Sequence, residues 1–261
     1  MDILLNYIGS KRTAIGRLST YFPYNLANYE YREPMIDGGS VLIGLNKNGL
    51  KPDIISIGDI NRVVYEIWYR ALYHPKELIL ETRNTLNRLE SLIGTECRLD
   101  YLNQYVDPII KEVILNRVRQ FGNYGNIDER KLNKVCEIGI DLDDRLINLH
   151  KTLKGSKIRL INNHYAWSLK EPSVDGRPVL VFLDPPYYKV YDRNGYYGDY
   201  HKNFDYMELL HLLRNTKHKF VMTLDNSLEM RELYKEFNCQ LLPVKYSMNK
   251  KTVNELLITN F

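Results

Sequence analysis

Asp184-Pro185-Pro186-Tyr187 follows directly on the apolar run Val179-Leu180-Val181-Phe182-Leu183. Such a run reads as a strand buried on both faces, and here it ends in a stiff turn rich in hydrogen-bond acceptors. An exocyclic amine such as adenine N6 is a poor nucleophile, because its lone pair is delocalised into the ring. Acceptors that draw the amino hydrogens out of plane localise that pair on nitrogen, ready to attack an electrophilic methyl group. Asp184 can supply one acceptor and the Pro185 carbonyl another, since proline has no competing N–H and its ring fixes φ. Preorganised acceptors beside a developing positive charge are worth more in a dry site than in water. Tyr187 would stack on a base swung out of the duplex, a contact worth roughly 1–3 kcal/mol. The plainer alternative is a strand followed by a Pro-Pro turn, reinforced by Pro186, whose tyrosine packs locally.

A second constellation lies upstream. Glu33-Pro34-Met35-Ile36 runs into Asp37-Gly38-Gly39-Ser40 and a helix, and twenty residues after Gly39 the strand Ile54-Ile55-Ser56-Ile57-Gly58 ends in Asp59. This is the layout of a nucleoside-binding βαβ unit, in which glycines admit the ligand and a carboxylate at the second strand tip accepts from ribose hydroxyls. The G-x-G-x-x-G that cradles a pyrophosphate is missing, so a nucleoside cofactor without phosphates, such as S-adenosylmethionine, fits better than NAD. A mere tight turn at Gly38-Gly39 and a helix N-cap at Asp59 remain the alternatives. In Tyr7-Ile8-Gly9-Ser10-Lys11-Arg12, Lys11 could meet a cofactor carboxylate or a DNA phosphate and Tyr7 could lie near a sulfonium; a solvated helix start is the other reading.

These groups need a scaffold. The chain has 261 residues, enough for one large α/β domain or a catalytic domain carrying an insertion. Candidate strands are Tyr31–Ile36, Asp53–Gly58, Lys157–Ile161, Pro178–Leu183, His218–Leu224, Gln240–Ser247 and Thr252–Phe261. Helical patterns cover Ser40–Asn46, Arg62–Tyr73, Asp205–Arg214 and Leu228–Phe237. Their alternation predicts an α/β fold with a doubly wound, mostly parallel sheet, and the last two strands form an antiparallel pair. Residues 75–153 show helical periodicity and no parallel strand, so residues 1–74 and 154–261 are expected to form the catalytic domain around an inserted, mainly helical domain.

Net charge is +4, which permits phosphate contacts without demanding them. Cys97, Cys136 and Cys239 are far apart and make neither a disulfide framework nor a zinc site; they are expected to be reduced and mostly buried. None stands in the Pro-Cys context that cytosine C5 methylation uses for its thiolate, and the histidines show no ligand spacing with acidic residues, so no metal is expected. The first sixteen residues lack a signal-peptide core, and no apolar stretch approaches the roughly 20 residues that cross a bilayer. A soluble, cytoplasmic protein is expected.

Within the helical insert, Arg117 and Arg119 precede Asn123, Tyr124 and Asn126, a set of forked donors, amides and an aromatic in a helix-to-loop region. Arginine can read guanine and asparagine adenine, or the arginines touch only phosphate or solvent. The tyrosine-rich stretch 188–202, with Tyr200 and His201, could close over a flipped base, and Asn249 and Lys250 stand in a candidate hairpin loop that contacts DNA or is a plain surface turn.

Taken together, these segments resemble the Dam-like DNA adenine-N6 methyltransferases, which use S-adenosylmethionine. Tyr7 to Lys11 is similar to the family's Y-x-G-x-K motif, Glu33 to Val41 to its E-P-F-x-G-G-G-[AS]-V cofactor loop, Gly58-Asp59-Ile60-Asn61 to its D-I-N ribose site, and Asp184 to Tyr187 to its catalytic motif. Tyr200-His201-Lys202-Asn203-Phe204 and Val253-Asn254-Glu255-Leu256-Leu257 resemble further segments. The motif order is that of the α group. The resemblance implies a Rossmann-like methyltransferase fold, a target-recognition insert, methyl transfer to a flipped adenine in duplex DNA, a GATC-type site, a monomeric working unit, and a role in restriction-modification, phage protection or chromosome maintenance. It also assigns Ile36, Asp37, Gly38, Gly39, Ser40, Asp59 and Asp184 to the cofactor, with His164 and Tyr165 at the place where many relatives carry Asp-Phe; a strand-end histidine in solvent is the alternative for His164. Met35 for phenylalanine and Asp37 for the first glycine are departures that alter the floor of the cofactor site. Transfer to cytosine N4 or RNA adenine, and a catalytically silent DNA-binding regulator, are the rival functions.

Overall fold

The computed structural model describes residues 4–6, 10–119, 127–134, 137–188, 204–245 and 252–261, with residues 137–140 described by backbone alone. The chain divides into two compact units. One comprises Lys11–Ile36, Ser40–Asn61 and Gly155–Phe261; the other comprises Met1–Ser10, Asp37–Gly39 and Arg62–Lys154.

The first unit is built on a seven-stranded sheet among the described residues. Its strands are β1 (Glu30–Glu33), β2 (Ile54–Gly58), β3 (Lys157–Ile161), β4 (Val179–Leu183), β5 (Lys219–Asp225), β6 (Asn238–Lys245) and β7 (Thr252–Thr259), in the order β3, β2, β1, β4, β5, β7, β6. The pairings from β3 through β5 are parallel, and β7 runs antiparallel between β5 and β6. The doubly wound, mostly parallel sheet with an antiparallel C-terminal pair is as the sequence predicts. The insertion of β7 beside β5 is an addition to that expectation, and it matters for the site.

The central strand β4 is buried along its whole length. Val179, Val181 and Leu183 pack with Leu209 and Leu213 of the helix Tyr206–Asn215, while Phe182 on the other face lies 6.1 Å from the Phe22 ring. The strand β1 departs from an apolar pattern, since all four of its residues, Glu30, Tyr31, Arg32 and Glu33, are buried. Side chains alternate along a strand, so Glu30 and Arg32 share one face and Tyr31 and Glu33 the other. Arg32 Nε donates to Glu30 Oε1 at 2.8 Å, and its remaining nitrogens donate to the carbonyls of Ser168, Glu171 and Pro172. Each buried charge therefore has a partner, as burial requires. The strand stops at Glu33 rather than at Ile36 because Pro34 has no N–H to continue the ladder. The helix Leu228–Leu233 likewise ends before Phe237.

From β1 the chain returns through the helix Ser40–Lys47 to β2, and from β4 through Tyr206–Asn215 to β5. The two crossovers diverge, leaving a topological switch point between β1 and β4. Ligands of open α/β sheets bind at the carboxyl ends of the strands at such a point.

The second unit is helical, with helices Arg62–Tyr73, Pro75–Glu90, Thr95–Gln104, Pro108–Val118, Glu129–Asn133 and Glu137–Leu153. Asp107 caps the Pro108 helix by accepting from the Ile109 and Ile110 N–H groups. The helix Arg62–Tyr73, read from sequence with the sheet, groups here because Val64, Ile67, Trp68 and Ala71 are buried and it packs on neighbouring helices of the unit. No helix among the described residues is long and apolar enough to cross a membrane. Cys97 and Cys239 are exposed thiols, contrary to the burial expected of them: one lies on a short surface helix and the other on the edge strand β6.

Candidate active site

The turn after β4 is held residue by residue. Thr223 and Asp225 are two apart on β5, and Glu255 on β7 is registered opposite Asp225, so strand alternation puts all three side chains on one face. The Thr223 hydroxyl donates to Asp184 Oδ1 at 2.8 Å. Asp225 Oδ1 accepts the Tyr188 N–H at 2.6 Å, and Glu255 Oε1 accepts the Tyr187 hydroxyl. Tyr206, opening the helix Tyr206–Asn215, donates its hydroxyl to the Pro186 carbonyl at 2.6 Å. A loop with this many fixed points is preorganised, as acceptors for a transition state must be.

Lys11 supplies the cation. Its ammonium donates to Asp184 Oδ1 and Oδ2 at 2.6 and 2.5 Å and to the Tyr187 hydroxyl at 3.2 Å, and stands 3.7 Å from Glu255 Oε2. The residue is buried, and its own backbone N–H donates to Ser40 Oγ at 3.1 Å. Burial pushes the Asp184 carboxyl above the usual carboxylate range; Lys11 opposes the rise and Glu255 adds to it.

A further carboxyl stands at the end of β1. Glu33 accepts the Tyr31 hydroxyl at 2.6 Å. Burial raises its pKa to about 8; the Tyr31 hydrogen bond opposes this and the charge of Asp184 reinforces it. A carboxyl raised in the folded state binds its proton more tightly there than in the unfolded chain, whose value is 4.5. Its contribution to stability is thus complete below the unfolded value and disappears as pH rises through the folded one, with a slope of at most about 1.4 kcal/mol per pH unit. Urea unfolding of wild type and Glu33→Gln between those pH values should show stability falling with pH in the wild type and a flatter profile in the variant. Parallel profiles would remove Glu33 from the account.

Other predicted residues are placed as follows. Ile36 is buried, and its N–H donates to the Gly58 carbonyl at 2.9 Å, linking the ends of β1 and β2. Asp59, at the tip of β2, is buried, and its Oδ1 accepts the Asn61 N–H at 2.8 Å. His164 is part exposed, with its Nε2 3.8 Å from Glu208 Oε2. Tyr165 is a core residue, its ring packed 5.3 Å from Phe204. The loop Asp37–Gly39 belongs to the helical unit, where Trp68 Nε1 donates to the Asp37 carbonyl at 2.8 Å. Asp37 adopts φ 45° and Gly39 φ 71°. The left-handed region is open to glycine and, among other residues, best tolerated by Asn and Asp, so an aspartate can adopt this backbone conformation. At Gly38 a Cβ would lie 2.2 Å from the Leu5 carbonyl oxygen, which excludes any side chain there.

Two arginines expected at DNA have partners within the helical unit. Arg117 is buried, donating to the Leu4 carbonyl at 2.9 Å, and burial with the nearby Arg145 charge depresses it to about 9. Arg119 is tied to Glu112 Oε1 at 2.6 Å. Arg117 lies on the helix Pro108–Val118 and Arg119 just after it, and the donors named here are engaged within the helical unit. Tyr7, Asn123, Tyr124, Asn126, Tyr200, His201, Asn249 and Lys250 lie outside the described residues. Thr223, Asp225, Glu255, Tyr206 and Glu33 were not singled out from sequence as site residues. Their strand spacing was visible, but the partner of each is set by the placement of β7 beside β5 and by the turn after β4.

Among the described residues no group of three or more His, Cys, Asp or Glu is placed to hold a metal ion. A family model described as D12 class N6 adenine-specific DNA methyltransferase matches residues 7–248. No curated protein matches in sequence. Among solved structures, a Haemophilus influenzae protein named as a methylase aligns over 96% of this chain and 96% of its own at 14% identity and TM-score 0.36. The rRNA methyltransferase aviRa of Streptomyces viridochromogenes aligns over 100% of this chain and 90% of its own at 12% identity and TM-score 0.43.

Proposed function

Since the chain belongs to the D12 class of N6 adenine-specific DNA methyltransferases, whose model spans residues 7–248, we propose that it transfers a methyl group from S-adenosylmethionine to N6 of an adenine flipped out of duplex DNA. The observation that carries the proposal is the Asp184 turn, fixed at the carboxyl end of β4 beside the switch point and buttressed by Thr223, Asp225, Glu255 and Tyr206.

The residues present suit a nucleoside cofactor without phosphates. Asp59 gives a buried carboxylate at the tip of β2, where ribose hydroxyls are bound in sheets of this kind, and the loop after Ile36 lacks the glycine spacing of a pyrophosphate cradle. Asp59 would hold the ribose, Ile36 to Ser40 would flank the cofactor, and His164 would meet the edge of its adenine. When bound, S-adenosylmethionine supplies an electrophilic methyl group. The chain's task is alignment. Asp184 and the Pro185 carbonyl accept from the two hydrogens of N6, drawing its lone pair toward the incoming carbon. Tyr187 offers its ring to the base. After transfer the extra proton on nitrogen leaves to water, with Asp184 acting as an electrostatic acceptor rather than as a strong base.

The insert is assigned target recognition and duplex DNA is the partner, with a GATC-type palindrome as the first site to try. The test is to incubate purified protein with methyl-labelled S-adenosylmethionine and unmethylated duplex DNA, digest to nucleosides, and identify the labelled base. Label in N6-methyladenine is expected. Label in N4-methylcytosine, or in RNA offered in parallel and not in DNA, would replace this acceptor with another.

A further inference from the structure

We propose that Glu255 is a positioning residue that receives the Lys11 ammonium when Asp184 turns to the substrate amine, so that acceptor entry and a shift of Lys11 are a single event. The inference rests on the amine-methylation reading of the Asp184 turn.

Lys11 engages both oxygens of Asp184, and Thr223 adds a further bond to Oδ1. An exocyclic amine that donates to Asp184 must compete with that ammonium for the carboxylate's lone pairs. The ammonium cannot simply be abandoned, because an ion buried to this depth without a counter-charge is strongly disfavoured, and the Lys11 side chain is only 1% exposed. A second carboxylate is in reach. Glu255 Oε2 lies 3.7 Å from the same nitrogen on a side chain 2% exposed. Closing that gap to a charge-assisted hydrogen bond takes a movement of about 1 Å, which the lysine stem absorbs through small torsional changes. Tyr187 bridges the two positions: its hydroxyl accepts from Lys11 and donates to Glu255. The ammonium can therefore move toward Glu255 without giving up its bond to Tyr187.

The receiver is also rigid. Glu255 is paired across the sheet with Asp225, which holds the Tyr188 N–H, so the strands that fix the turn also fix the carboxylate that takes Lys11. Once Lys11 has moved, Asp184 presents its negative charge to N6 at the stage when that nitrogen becomes positive. Glu255 touches neither the base nor the methyl group; it acts through Lys11 and Tyr187.

Glu255→Gln keeps the shape and removes the charge. It is expected to lower the single-turnover transfer rate by about 10- to 100-fold, with cofactor affinity measured by calorimetry changed by no more than about twofold. Glu255→Asp should recover a large part of the loss. In a Lys11→Met background, where there is no ammonium to receive, the same Glu255→Gln change should cost no more than about threefold. An equal loss in both backgrounds, a Lys11→Met protein with no transfer at all, or an unchanged rate in Glu255→Gln overturns the proposal. Should Glu255→Gln not fold, Glu255→Asp against Lys11→Met carries the same cycle. Failure of the parent reading has a separate signature: wild-type protein that binds the cofactor and labels no DNA.

Discussion

Replacing Asp184 by asparagine is expected to reduce methyl transfer by about a thousandfold, in line with the loss of a preorganised electrostatic group in other active sites, while the protein stays folded and binds its cofactor. Asparagine preserves the volume and one acceptor oxygen, so the Thr223 hydroxyl keeps a partner. It replaces the other oxygen by an NH2 that cannot accept from an amine, and it removes the negative charge that stabilises positive nitrogen. The fold should tolerate the change because Lys11 retains a carboxylate, Glu255, within 3.7 Å. Single-turnover labelling, with calorimetry of cofactor binding alongside, separates the two effects. A variant that keeps more than about a tenth of the wild-type rate would show that Asp184 is not the principal acceptor.

The second large effect lies away from the chemistry. Arg32→Met should destabilise the sheet unit by about 3–5 kcal/mol, the usual consequence of stripping one partner from a buried ion pair. Glu30 would be left as an unpaired carboxylate in a fully buried position, and the carbonyls of Ser168, Glu171 and Pro172 would lose their donors. Burial alone would raise the Glu30 pKa, but Arg32, the Val174 N–H and Ser56 hold it below the usual carboxylate range. The variant should therefore show a lowered urea midpoint that a second change, Glu30→Gln, partly restores, since the amide carries no charge to be compensated. A midpoint unmoved by Arg32→Met would mean that the network is satisfied by water.

Much of the scaffold was legible because its strands are apolar runs with clear ends. The strand Lys157–Ile161 and the helix Arg62–Tyr73 fall at the bounds that periodicity suggests. Errors came where polar residues are buried or a helix stops early. The strand expected over Tyr31–Ile36 is present but covers Glu30–Glu33, and it takes long-range partners to bury its Glu-Tyr-Arg-Glu throughout. The Arg117 guanidinium donates to the Leu4 carbonyl, a partner 113 residues away that the sequence around it does not announce. The turn after β4 could be found from sequence through its residue types. Its supports could not, because Thr223, Asp225 and Glu255 acquire meaning only when β7 lies beside β5.

The ties of the opening residues also bear on how the chain comes to be folded. Asn116 exchanges hydrogen bonds with Asn6, and Arg117 holds Leu4, across sequence separations of 110 and 113 residues; Lys11 meets Asp184 across 173. Contacts this distant in sequence form late, because the loops they close must lose their entropy first. On the ribosome, Leu4 and Asn6 have no place to dock until the helix Pro108–Val118 has emerged, and the Lys11 ammonium has no Asp184 until β4 is made. β1, β2 and the helix Ser40–Lys47 precede most of the helical unit in the chain. The charge network cannot be complete until β4, β5 and β7 have all been synthesised, and a nascent chain halted before β5 would carry an Asp184 turn without Thr223, Asp225 or Glu255 to hold it.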